Sequence, residues 1–162
     1  TVGNLLNRTS SMARRWFEGA VPPATTALDT NHPLAAVARQ SQESYMPAMA
    51  GLDFRSASEA ALNLAIAANG FLNDQAPWSR IKLGDQTQQV AEDLYAVLEA
   101  TRHVALLLAP LVPDLSQRML DQFPPAQPCR WADQLVWGQL PPGAPLPEPS
   151  PVMARLELEG AL

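Results

Sequence analysis

The sequence predicts an all-α fold: an antiparallel bundle of about five helices ending in a proline-rich extended tail. Three observations lead there. Apolar residues recur at helical spacing in window after window, with prolines and glycines between the windows. No alternating strand pattern of useful length appears before residue 150. Nine of the sixteen prolines fall within residues 124–151, too dense for regular packed elements.

The first helix runs from the N-terminus to about Phe17. Leu5, Leu6, Thr9, Met12, Ala13, Trp16 and Phe17 share one broad face. Asn4, Arg8, Ser11 and Arg15 form a narrow polar stripe opposite, and Gly19 with Pro22 and Pro23 ends the helix. A second helix starts near Pro33, tolerated in a first turn, and continues to about Met49. Asp53 caps a third helix reaching about Phe71, whose seam of Ala57, Ala61, Leu64, Ala68 and Phe71 is small enough for close helix approach. Ala76-Pro77 interrupts the backbone. The fourth helix, about Thr87 to Leu108, turns Val90, Leu94, Val97, Leu98, Thr101, Ala105 and Leu108 to one side. Pro110 stops it, and Pro113 opens a short fifth helix through about Phe123.

The division expected is therefore a bundle over residues 1–123 and a tail over 124–162. Trp131, Leu135, Val136 and Trp137 give the tail apolar anchors, so it packs back on the bundle instead of acting as a free linker. Residues Val152 to Leu158 could form a short terminal strand. The chain opens at Thr1 without an initiator methionine, in a segment already reading as helix, which leads us to expect a piece of a longer protein.

Composition removes several classes of function. At 162 residues and 47% hydrophobic content, a core is expected and wholesale disorder is not. The longest apolar run, Val104 to Val112, is about half a membrane span, and no secretory leader is recognisable. One cysteine, Cys129, allows no internal disulfide, which fits a reducing, cytoplasmic setting. His32 and His103 stand apart, so no metal site is expected. His103 reads as a partly exposed or hydrogen-bonded helix residue. Glu92 and Asp93 read as a solvated helix face. No nucleophile elbow, triad or phosphate loop is present, and no catalytic residue is expected.

A net charge of −5 opposes a nucleic-acid partner, which ordinarily needs a basic surface. The distribution speaks differently. Residues 1–17 hold Arg8, Arg14 and Arg15 with no acid, and residues 75–84 hold Arg80 and Lys82 with none. Two segments lie in or beside these windows. In Asn4-Leu5-Leu6-Asn7-Arg8, Asn4 and Arg8 stand one turn apart and can reach one ligand. An amide reads a base edge, and a guanidinium grips or stacks. Taken alone, the stripe is more commonly an ordinary solvated face. In Asn69-Gly70-Phe71-Leu72-Asn73-Asp74-Gln75-Ala76-Pro77-Trp78, the indole follows a helix break that can leave one ring face open. An open aromatic plane is a platform for an unstacked RNA base. Taken alone, that tryptophan is more commonly a core residue.

Together the two segments resemble the signature regions of methionyl-tRNA synthetase anticodon-binding domains. That family carries an N-L-x-x-R-like run on the first bundle helix, followed by a phenylalanine and glycine like Phe17 and Gly19. A later helix carries a pattern like N-R-Y-x-D-x-x-A-P-W. Leu107 to Pro113 and Pro149 to Glu157 are similar to two further family segments, whereas residues 24–52 match none. The resemblance implies that Asn4 and Arg8 contact the anticodon and that Trp78 stacks its first base, a cytosine. It also implies methionine tRNA as partner, and a preceding catalytic domain supplying ATP-dependent methionylation with ATP and magnesium. The tail would fold back toward that domain. Arg15, Arg80 and Lys82 are added from charge alone as RNA-backbone contacts. Gly70, Phe71 and Asn73 depart from the family's Arg, Tyr and Asp, as Met153 and Ala154 do from its Phe and Pro. A hydrogen bond made by the Tyr hydroxyl, or accepted by the carboxylate, would be lost or rerouted. Two rivals remain: the related bundles of cysteinyl, valyl, leucyl or isoleucyl enzymes, and a helical protein-docking module anchored by Trp131 to Trp137.

Overall fold

The computed structural model describes residues 2–126 and 129–153. Six helices follow in order: α1 (Val2–Trp16), α2 (Pro33–Ala50), α3 (Phe54–Gln75), α4 (Pro77–Arg80), α5 (Thr87–Leu108) and α6 (Pro113–Leu120). Short 3-10 turns occupy Thr26–Leu28, Ile81–Leu83 and Trp131–Leu135. Among the described residues the only β pairing is one isolated bridge, Ala20 with Pro145. The expected strand over Val152 to Leu158 lies outside the described residues from position 154 onward.

Local chemistry explains the helix ends. His32 caps α2, its Nδ1 accepting from the Leu34 N–H at 3.2 Å. That role needs a neutral ring, and burial, outweighing the nearby Asp93 and Glu92 carboxylates, lowers its pKa. Asp53 caps α3 by accepting from the Ser56 N–H and hydroxyl at 3.0 and 2.7 Å. α3 runs past Phe71 to Gln75, because nothing breaks it before the proline at position 77. α6 stops at Leu120, short of Phe123.

The core gathers around α5, against which α1, α2, α3 and α6 all pack. Every residue from Val90 to Leu108 is buried. The one-sided face expected for this helix is thus a full jacket, and the reading of Glu92 and Asp93 as a solvated face is overturned. Only 4% and 3% of these residues remain exposed. Each inward acid of α5 holds a different peripheral segment. Glu92 accepts from the Thr25 and Ala27 N–H groups at 2.9 and 2.8 Å and from the Thr25 hydroxyl at 2.7 Å. Burial pushes its pKa upward, but these donors outweigh burial and hold it at about 2. Asp93 pairs with Arg80 at 2.6 Å. Glu99 accepts from Arg102 at 2.7 Å and from the Gly138 and Gln139 N–H groups at 2.9 and 3.1 Å. Its pKa also falls to about 2, the bonds from Arg102 and His103 overcoming burial. Of the two readings of His103, partly exposed or hydrogen-bonded, the second holds: the ring is fully buried, with Nδ1 3.3 Å from the Gln42 amide.

The tail lies along the bundle through polar pins. The Trp131 and Trp137 indole N–H groups donate to the Leu106 and Ala27 carbonyls at 2.9 and 2.8 Å. The Tyr95 hydroxyl donates to the Leu140 carbonyl at 2.8 Å. Leu135 is buried, but Val136, expected as an anchor, is 55% exposed. The Leu135 and Trp137 side chains turn inward on either side of it, which sends the residue between them outward.

Candidate nucleic-acid interface

Trp78 is presented by a backbone device. Proline disfavours a right-handed helical conformation at the residue before it. Ala76 leaves the right-handed helix for the left-handed region, φ 43° and ψ 56°, closing α3 and opening α4. Its N–H donates to the Leu72 carbonyl at 3.1 Å, and its own carbonyl accepts from Ser79 at 2.9 Å. Pro77 is buried under the turn, whereas Trp78 beside it keeps 38% of its surface exposed.

The leading helix meets this ring. The Arg8 guanidinium carbon lies 5.6 Å from the centre of the Trp78 ring, within cation–π range. Arg8 Nη2 also donates to Asn73 Oδ1 at 3.4 Å, a long bond. Asn73 stands where the resembled family carries an aspartate, so its amide oxygen takes up an acceptor position without the charge. Asn4 is exposed one turn earlier on α1. With Asn7, Leu62, Ile66 and Asn69 it lines a largely apolar groove of about 1140 Å3 bounded by α1, α3, the end of α5, the start of α6 and the tail at Pro151 to Met153.

The charge-based expectations divide. Arg15 and Lys82 are exposed and have no ion pair among the described residues. Arg80, expected to meet the RNA backbone, is turned inward. It pairs with Asp93 and donates to Gln75 and Gln86 at 2.9 and 2.7 Å, so we withdraw that expectation. A count of cations cannot see a carboxylate thirteen positions on that claims one of them. Asn7 and Asn69 join Asn4 at the groove without having been singled out, although both lie inside the two quoted segments and Asn7 follows Asn4 at helix spacing.

Residues 21–160 match the family model described as the anticodon binding domain of methionyl tRNA ligase. The chain belongs to this family. The match includes the Ala76-Pro77-Trp78 turn and residues 24–52, and begins after α1. Relatives extend the similarity over α1. A methionine–tRNA ligase of Thermosynechococcus vestitus is 39% identical over 166 residues, covering 97% of this chain and 31% of its own length. The chloroplastic/mitochondrial methionine–tRNA ligase of Arabidopsis thaliana is 32% identical, covering 98% of this chain and 26% of its own. Among solved structures, apo methionyl-tRNA synthetase of Mycobacterium tuberculosis superposes with a TM-score of 0.84 at 29% identity, over 97% of this chain and 32% of that one. The same enzyme bound by methionyl-adenylate gives 0.81 at 30% identity, over 93% of this chain and 30% of that one. The chain thus spans about a third of the length of the relatives it matches. These findings favour the methionine family over the cysteine, valine, leucine and isoleucine bundles and over a protein-docking module.

Proposed function

We propose that this domain reads the CAU anticodon of methionine tRNA, with Trp78 stacking the splayed first-position cytosine. Arg8 and Asn4 hydrogen-bond to exposed base edges, and Arg15 and Lys82 steady the backbone through phosphates. The observation that carries the reading is the meeting of two segments far apart in sequence: the Arg8 guanidinium lies over an exposed Trp78 ring. A planar cation and an aromatic plane on one surface match the demands of a flipped base better than those of a smooth helix or a folded protein.

The domain acts as part of a cytoplasmic methionine–tRNA ligase, and anticodon binding holds the acceptor end at a separate catalytic domain. ATP and magnesium belong to that domain. The tail expected over residues 124–162, of which 124–126 and 129–153 are described, serves as a strap that packs on the 1–123 bundle and leads toward the catalytic domain.

Titration of an RNA hairpin carrying the CAU loop, at fixed salt, tests the reading. Trp78→Ala weakens binding by roughly 10- to 100-fold, the worth of one stacked base, while the helical circular dichroism is kept. Unchanged affinity would remove the stacking role. Arg8→Ala narrows the preference for CAU over other loops, whereas an equal loss for every loop would make Arg8 a phosphate contact instead.

A further inference from the structure

The turn that presents Trp78 cannot hold itself in place. α4 is a single turn of four residues, far below the length at which a helix is stable alone. It starts from Ala76, whose left-handed conformation is unfavourable for a residue with a Cβ. Something outside the turn must fix it. Arg80, two residues beyond Trp78, supplies that link. Its Nη1 donates to Gln75, the last residue of α3, at 2.9 Å and to Asp93 on α5 at 2.6 Å. Its Nε donates to Gln86, just before α5, at 2.7 Å. Asp93 is held in turn by the Gln89 amide, which donates to its second oxygen at 3.0 Å. The guanidinium therefore ties both ends of the strained turn to the most buried helix of the molecule. The Asp93 side chain is 4% exposed, so its charge is satisfied only through these donors.

We propose that Arg80 and Asp93 are positioning residues for nucleobase recognition, locking the Trp78 ring at the angle and depth where it stacks. The inference rests on the stacking reading above. The staple touches no RNA itself; it acts through the indole. A planar five-donor fork is required, because one side chain must serve three acceptors in different directions.

The test uses the same CAU hairpin with four proteins: the parent, Asp93→Asn, Trp78→Ala and the double variant. Asp93→Asn weakens binding by about tenfold. The double variant binds no more weakly than Trp78→Ala alone, because the staple has no route to RNA except the ring. With 5-fluorotryptophan incorporated, the fluorine signal that Trp78→Ala removes shifts or broadens in RNA-free Asp93→Asn, reporting a loosened indole. If Asp93→Asn fails to fold, Arg80→Gln replaces it, since that side chain sits nearer the surface. An unchanged affinity for either staple variant beside a weakened Trp78→Ala overturns the staple and leaves the stacking reading intact. Losses that multiply in the double variant also overturn it, because they show a general structural effect. If Trp78→Ala itself binds normally, the stacking reading falls and takes the staple with it.

Discussion

Gly70 sits inside α3, where a Cβ would meet nothing within 4 Å beyond its chain neighbours and its own helix backbone, so neither packing nor an unusual backbone angle calls for glycine there. An exposed glycine within a helix gives up backbone entropy without return, about 0.5–1 kcal/mol relative to alanine. Gly70→Ala therefore raises the thermal midpoint by a few degrees and leaves hairpin affinity unchanged. A fall in either quantity would show that the position has a role beyond the helix. At this scale the sequence was most informative where a residue's chemistry depends on its own neighbours. Pro77 forces the turn that exposes Trp78, and four-residue spacing puts Asn4 and Arg8 on one stripe. It was least informative where a side chain's fate depends on a distant partner. Arg80 reads as a free cation until Asp93 claims it, and whether the contact at Asn73 is lost or rerouted is decided only once Arg8 is seen donating to its amide oxygen.

Helix α5 shows how an element can be legible in extent and misread in environment. Its bounds, Thr87–Leu108, follow from periodicity and from Pro110 beyond its end. Its burial does not follow, because Glu92, Asp93 and Glu99 resemble surface acids until the segments that hydrogen-bond to them are in place. The tail is likewise fixed by contacts with no local period. Gly138 donates its N–H to Glu99 with φ at +84°, and a Cβ there would lie 3.1 Å from the Leu28 carbonyl oxygen. Gly143 has a similar angle, φ +79°, but open space around it. Both substitutions to alanine incur the left-handed penalty of about 1–2 kcal/mol. Gly138→Ala adds a clash against backbone and is the more destabilising of the two by urea titration. Equal losses would mean that the tail yields freely where it crosses Leu28.

For the molecule as a whole, the depressed carboxylates set the response to acid. Glu92 and Glu99 are held at about 2, below the ordinary glutamate value of 4.5. Between those values the unfolded chain binds protons that the folded one refuses, so stability rises with pH. Their contribution is complete above about pH 4.5, declines as acid is added, and is gone below about pH 2. Chemical denaturation at successive pH values should show this slope, and Glu92→Gln should make it shallower across the same window. An identical slope in that variant would mean that Glu92 titrates normally in the fold. Net charge, which weighs against a nucleic-acid partner, sums inward and outward groups alike and so does not describe any one surface. Some of the acids behind the −5 are structural fasteners facing α5's surroundings. A rod sheathed on every side also leaves no seam along which the molecule could come apart in stages. Stripping off the loop after α1, the turn bearing the indole, or the strap would bare an ionised group beside an oily wall. Melting followed by circular dichroism and by tryptophan fluorescence should therefore give one coincident transition, and separate transitions would show that the tail comes away first.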